Sequence, residues 1–140
     1  MKTVIPFQVV GWEPVETDTP EAGGPALGRT LVRKTFSGDL VAESTATLLT
    51  CVAEGDDAGA GYIASERVVG ALDGREGTFV LQHGGLGGAG TPMRSYGNIV
   101  PGSGTGALAG LAGTASFWQG PEGHTLTLDY TLPGDSVTEA

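Results

Sequence analysis

The sequence predicts an all-β protein, a single small antiparallel barrel of about eight strands. Three observations lead there. Gly and Pro, 25 and 8 of the 140 residues, punctuate the chain at short intervals. The runs between them are rich in Thr, Val, Leu and aromatic residues, the composition of strands. No run keeps an amphipathic helical period. The length fits one domain, 1–140, with enough chain to bury a core.

In chain order, strands are expected at about 3–12, 29–37, 40–53, 60–71, 77–84, 92–100, 114–119 and 123–132. The first carries Val4, Ile5, Phe7, Val9 and Val10. A long loop at about 16–27, with Pro20, Gly23, Gly24 and Pro25, is expected to form a flap over one end of the barrel. The third strand ends in the apolar run Thr47–Val52, where Cys51 reads as a small hydrophobe. Later strands show alternation, as in Phe79-Val80-Leu81 and Leu126-Thr127-Leu128-Asp129-Tyr130. The tail 133–140 reads as frayed and polar.

The chain echoes itself. Gly70–Thr78 and Gly106–Thr114 share the pattern G-A-L-x-G-x-x-G-T, six of nine positions, and Gly38-Asp39-Leu40 is a shorter version. The pattern reads as a strand connection, with Leu tucked into the barrel end and Gly supplying positive φ.

Composition excludes several function classes. The formal charge is −9, and seven scattered basic residues make no phosphate-binding face, so nucleic acid is not an expected partner. No apolar run approaches a membrane span, and the N-terminal stretch is broken by Pro6 and Gln8, unlike a secretory segment. A single Cys fits a reducing compartment, so a cytoplasmic protein is expected. The acidic groups Glu13, Glu16, Asp18, Glu21 and Asp56, Asp57 read as solvated loops, without the spacing of a calcium loop. Pro101–Gly106 lacks the G-x-G-x-x-G spacing of a dinucleotide fingerprint and the Lys of a P-loop. Two His and one Cys make no zinc cage, and a set of His83, His124, Glu43 and Glu66 has no ligand spacing. No metal and no cofactor is expected.

The informative residues are polar ones inside strands. Tyr62, Ala64, Glu66 and Val68 share one face of their strand; Phe79, Leu81 and His83 share another; Arg94, Tyr96 and Asn98 a third. Phe117 and Trp118 must face opposite sides. Convergence of Glu43, Glu66, His83, Arg94 and Tyr96 in the lumen would make a small-molecule site. A desolvated carboxyl there would have its pKa raised and serve as an acid or base. Glu66, Glu43 and His83 are therefore the candidate catalytic residues. Tyr62, Phe79, Leu81, Gln82, Arg94, Tyr96 and Trp118 are the candidate pocket. Parity alone does not say which face is inward.

Several stretches carry a resemblance: Lys34–Leu40 with Glu43-Ser44, Ser65–Gly70, Gly77–His83, Val100–Gly113 and Leu128-Asp129-Tyr130. In F-V-L-Q-H followed by V-P-G-S-G-T-G-x-L-x-G-L-x-G, the chain resembles an uncharacterised bacterial family of small proteins with an allene-oxide-cyclase-like β-barrel. Ala107 departs from the acidic residue usual there. The resemblance implies the barrel and a homo-oligomer, a dimer before larger assemblies, but no reaction. By analogy of fold, such barrels steer an apolar substrate by shape. The expected function is a barrel binding an apolar small molecule, as a shape-directing isomerase or cyclase. The alternative is a non-catalytic ligand- or protein-binding module.

Overall fold

The computed structural model describes residues 1–55 and 58–134. The Asp56–Asp57 pair and the tail 135–140 lie outside the described residues. The strands are β1 Lys2–Thr17, β2 Ala26–Phe36, β3 Leu40–Val52, β4 Ala60–Leu72, β5 Arg75–Gly88, β6 Thr91–Ile99, β7 Ala112–Gly120 and β8 Gly123–Thr131. A short 3-10 turn, Gly106–Leu108, lies between β6 and β7. Each strand pairs antiparallel with the next, and β8 returns to β1 to close the barrel.

The eight expected strands are all present. The largest difference is the first hairpin, where β1 and β2 continue into the stretch read as a loop. Its ends are tied by the Asp18 N–H donating to Leu27 O at 2.9 Å and the Leu27 N–H donating to Asp18 Oδ1 at 2.7 Å. Register shifts at Val9/Gly11 and Pro14/Glu16 accommodate the extra chain, and a bulge is where a strand tolerates Pro14. The first shift also changes parity. Phe7 and Val9 lie opposite Phe36 and Lys34, but beyond the bulge Trp12 lies opposite inward-facing Val32.

The barrel is filled at one end and hollow at the other. Leu40, Leu72 and Leu108 are each fully buried in one cluster with Phe79, Leu81, Ile99, Leu128 and Tyr130. Here the echoed pattern finds its reason. Leu72 and Leu108 occupy the same place in it, and Gly74 and Gly110 both take left-handed φ, +79° and +84°, where a side chain would be strained. The pattern plugs the barrel end with leucine while glycine turns the chain. A second, smaller cluster of Val32, Ala46, Leu48 and Ala64, with Tyr62 against it, lines the other half.

One seam of the wall is incomplete. β6 and β7 share only the pairs Asn98↔Thr114 and Ile99↔Gly113. Towards the hollow end, the Phe117 N–H donates instead to the Ser95 hydroxyl at 2.9 Å.

Candidate functional site

Four polar side chains are buried between the two apolar clusters: Lys34, Ser44, Glu66 and His83. Strand register brings them together. Lys34 pairs with Ser44 across β2–β3, and Glu66 on β4 lies opposite Ala46, while His83 on β5 lies opposite Ala64. The two alanines leave room for the longer polar chains beside them.

Glu66 is the centre of the group. Its Oε1 accepts from Lys34 Nζ at 3.0 Å and from His83 Nε2 at 2.7 Å, and its Oε2 accepts from Ser44 Oγ at 2.5 Å. Burial, the largest single influence, would push its pKa up. The His83 hydrogen bond, the Lys34 charge and the Ser44 hydrogen bond together outweigh it and hold the carboxyl at about 2. Glu66 is therefore a permanent anion at neutral pH, which corrects the expectation of a raised carboxyl. It is also wholly shielded from solvent, so no substrate reaches it directly.

The network continues outward. An ionised carboxylate only accepts, so His83 Nε2 carries a hydrogen towards Glu66. In the neutral imidazole, Nδ1 then accepts from the Tyr62 hydroxyl, 3.0 Å away. Burial, then the Glu66 charge, pushes the Tyr62 phenol up to about 12, so it is neutral at ordinary pH. The Lys34 ammonium lies 4.9 Å from the Phe7 ring centre and 4.3 Å from that of Phe117. His83 packs on Phe117 at 4.4 Å.

Above this floor is a chamber of about 460 Å³, within the size range of small-molecule sites. Val32, Leu48, Phe7 and Phe117 form much of its wall, and Lys34, Tyr62 and His83 reach it from the floor. Trp12, Met93 and Trp118 stand exposed at its mouth. The incomplete β6–β7 seam flanks it, since Ser95, Phe117 and Gln119 also line the chamber.

The structure brings Tyr62, Glu66 and His83 together. Other candidates lie elsewhere. Glu43 points outward, because Ala42 and Ser44 take the inward positions on β3; it shares an outer groove with Arg33 and Arg67. Phe79 and Leu81 face inward but are packed in the filled half. Gln82 is outside, donating to Ser65 Oγ at 3.1 Å. Tyr96 also lies outside, over bare Gly84, opposite it in register. Arg94 is exposed at the chamber mouth. Trp118 is on the rim, and Phe117 takes the inward place. Among the described residues no three His, Cys, Asp or Glu side chains gather as a metal set. His124 is stacked on Phe7 at 5.1 Å.

Lys34, Ser44, Phe7 and Phe117 were not singled out from the sequence as site residues. Lys34 carried a signal: with Val32 and Phe36 it shares an apolar strand face, where a lysine needs a buried partner. Tyr62 depends on a bare neighbour. It lies opposite Gly85, where a Cβ would come within 2.9 Å of the Tyr62 ring. Gly85→Val is expected to push Tyr62 off His83 and lower the phenol pKa towards its ordinary value of 10, read by ultraviolet titration of phenolate. An unchanged titration would show that the ring has room to spare.

Among curated proteins, none matches this chain. A solved protein with unknown function from Shewanella oneidensis MR-1, of the DUF3224 family, is 36% identical over 94% of this chain and 97% of that one, with a TM-score of 0.82. The family model for DUF3224, protein of unknown function, matches residues 5–130. This agrees with the resemblance read from the F-V-L-Q-H and Gly-rich stretches: the chain belongs to the DUF3224 family of proteins of unknown function.

Proposed function

We propose that the barrel binds an apolar small molecule in its hollow half and isomerises or cyclises it by holding it in one shape. One observation carries this reading: an apolar chamber of about 460 Å³ stands open above a floor of polar side chains. A lumen kept only for stability would be filled, as the other half is, since unfilled apolar space forfeits packing. Lys34 and Glu66 compensate each other's charge at 3.0 Å. The floor is therefore electrically balanced, and the preferred ligand is neutral. Confinement in a shaped, water-poor site contributes by orienting the reacting groups.

The test is a fluorescence titration with the neutral fluorophore phenylnaphthylamine. Saturable binding at one site is expected. Leu48→Trp, which fills the chamber wall, should weaken it roughly tenfold or more, about 1.4 kcal/mol or above. Non-saturable binding, or equal binding by the filled variant, overturns the reading.

A further inference from the structure

The floor of the chamber supports a more specific chemistry than binding. Glu66, His83 and Tyr62 form a continuous chain of hydrogen bonds, 2.7 Å and 3.0 Å long, that starts at a buried anion and ends at a phenol on the chamber. We propose that Tyr62 is the catalytic base of this site and that the substrate is a neutral, largely apolar carbonyl compound with an acidic hydrogen next to the carbonyl. This rests on the lumen-binding reading above and names its substrate class.

The proton inventory closes. The substrate C–H bond breaks and its proton goes to the Tyr62 oxygen, while the Tyr62 hydroxyl proton passes to His83 Nδ1. The electron pair left by the C–H bond becomes that of an enolate. His83 is then an imidazolium held against the Glu66 carboxylate, the same logic by which a buried acid supports a histidine base elsewhere. Lys34, a cation on the same chamber floor, stabilises the enolate oxygen. Where the substrate carries a carbon–carbon double bond next to the deprotonated carbon, the enolate is a dienolate. Delivery of the Tyr62 proton to its far carbon, with the His83 proton returning to Tyr62, shifts the double bond and restores every group. No oxidant, reductant or metal takes part.

Geometry favours this over a purely structural role. A buried ion pair alone would need only Lys34, Ser44 and Glu66. It would not need a histidine turned with one nitrogen to the carboxylate and the other to a phenol on the cavity. Glu66 and His83 are positioning residues on this account, and Tyr62 is the group that touches substrate.

The experiment uses the bicyclic ketone beta-tetralone, a neutral probe with activated hydrogens beside its carbonyl. Binding is followed by quenching of the tryptophans at the mouth, and hydrogen exchange by NMR in heavy water. Expected results are saturable binding and exchange well above the buffer rate. Tyr62→Phe, which keeps the ring and its packing, should bind the ketone but lose exchange about 100-fold or more. His83→Gln should lose exchange while its circular dichroism stays native. Failure of the ketone to bind overturns the lumen reading, and the base with it. Binding without exchange, or exchange that survives Tyr62→Phe, overturns the base alone.

Discussion

Glu66→Leu is expected to destabilise the fold by about 3–5 kcal/mol, because it strands Lys34 without an anion inside the barrel. The same change removes the acceptor for His83 Nε2 and Ser44 Oγ, each within hydrogen-bonding distance in the native structure. Urea denaturation measures the loss. The informative comparison is Lys34→Met combined with Glu66→Leu. Together they remove both charges and leave apolar side chains of similar size, so the pair should recover much of the loss from the single change. If the double variant is as unstable as the sum of the two singles, the ion pair is not the dominant interaction at this position.

Acid is expected to unfold the protein through the same carboxylate. Glu66 sits at about 2 in the folded state against an ordinary 4.5. Between those values the unfolded chain binds the proton and the folded chain does not. Stability from this group is therefore complete above the unfolded value and falls as pH drops through the folded one, by up to ~3 kcal/mol in total. The groups facing the carboxylate are Lys34 from β2, Ser44 from β3 and His83 from β5, with Tyr62 of β4 one bond further along. Urea midpoints followed from about pH 6 down to about pH 3 should decline steeply in the native chain. In Glu66→Gln they should start lower and flatten over this window. Parallel declines in the two proteins would assign the acid sensitivity to other carboxylates.

Much of the architecture was legible because strands advertise themselves. Alternation in Phe79-Val80-Leu81 and Leu126-Thr127-Leu128 marks a half-buried sheet, and Gly-rich connections mark its turns. Parity was legible too: Tyr62, Ala64, Glu66 and Val68 do share a face, as do Phe79, Leu81 and His83. What parity lacks is a sign. Glu43 fell on the wrong side because nothing local distinguishes Val41-Glu43-Thr45 from Ala42-Ser44-Ala46; small inward residues are chosen by what crosses the lumen, which is long-range information. Tyr96 was misplaced for a related reason, since its ring is accommodated by Gly84 on another strand. The direction of the Glu66 shift depends first on His83 and then on Lys34, 17 and 32 residues away in the chain. No spacing rule connects the three.

The incomplete seam between β6 and β7 bears on how the barrel avoids indiscriminate strand pairing in a crowded solution. Closing a sheet into a tube ordinarily abolishes its edges, and with them any template for another chain's strand. Here two strands part beyond Asn98 and Thr114, so the tube retains a short stretch of edge beside its mouth. That stretch carries Pro92, which offers no amide hydrogen, and the charged Arg94. Both are devices that discourage strand-to-strand aggregation, and the Ser95 hydroxyl takes up a backbone donor that would otherwise be available to an incoming chain. The opening that gives the chamber its flank is thus also the place where the protein must guard against pairing with its neighbours.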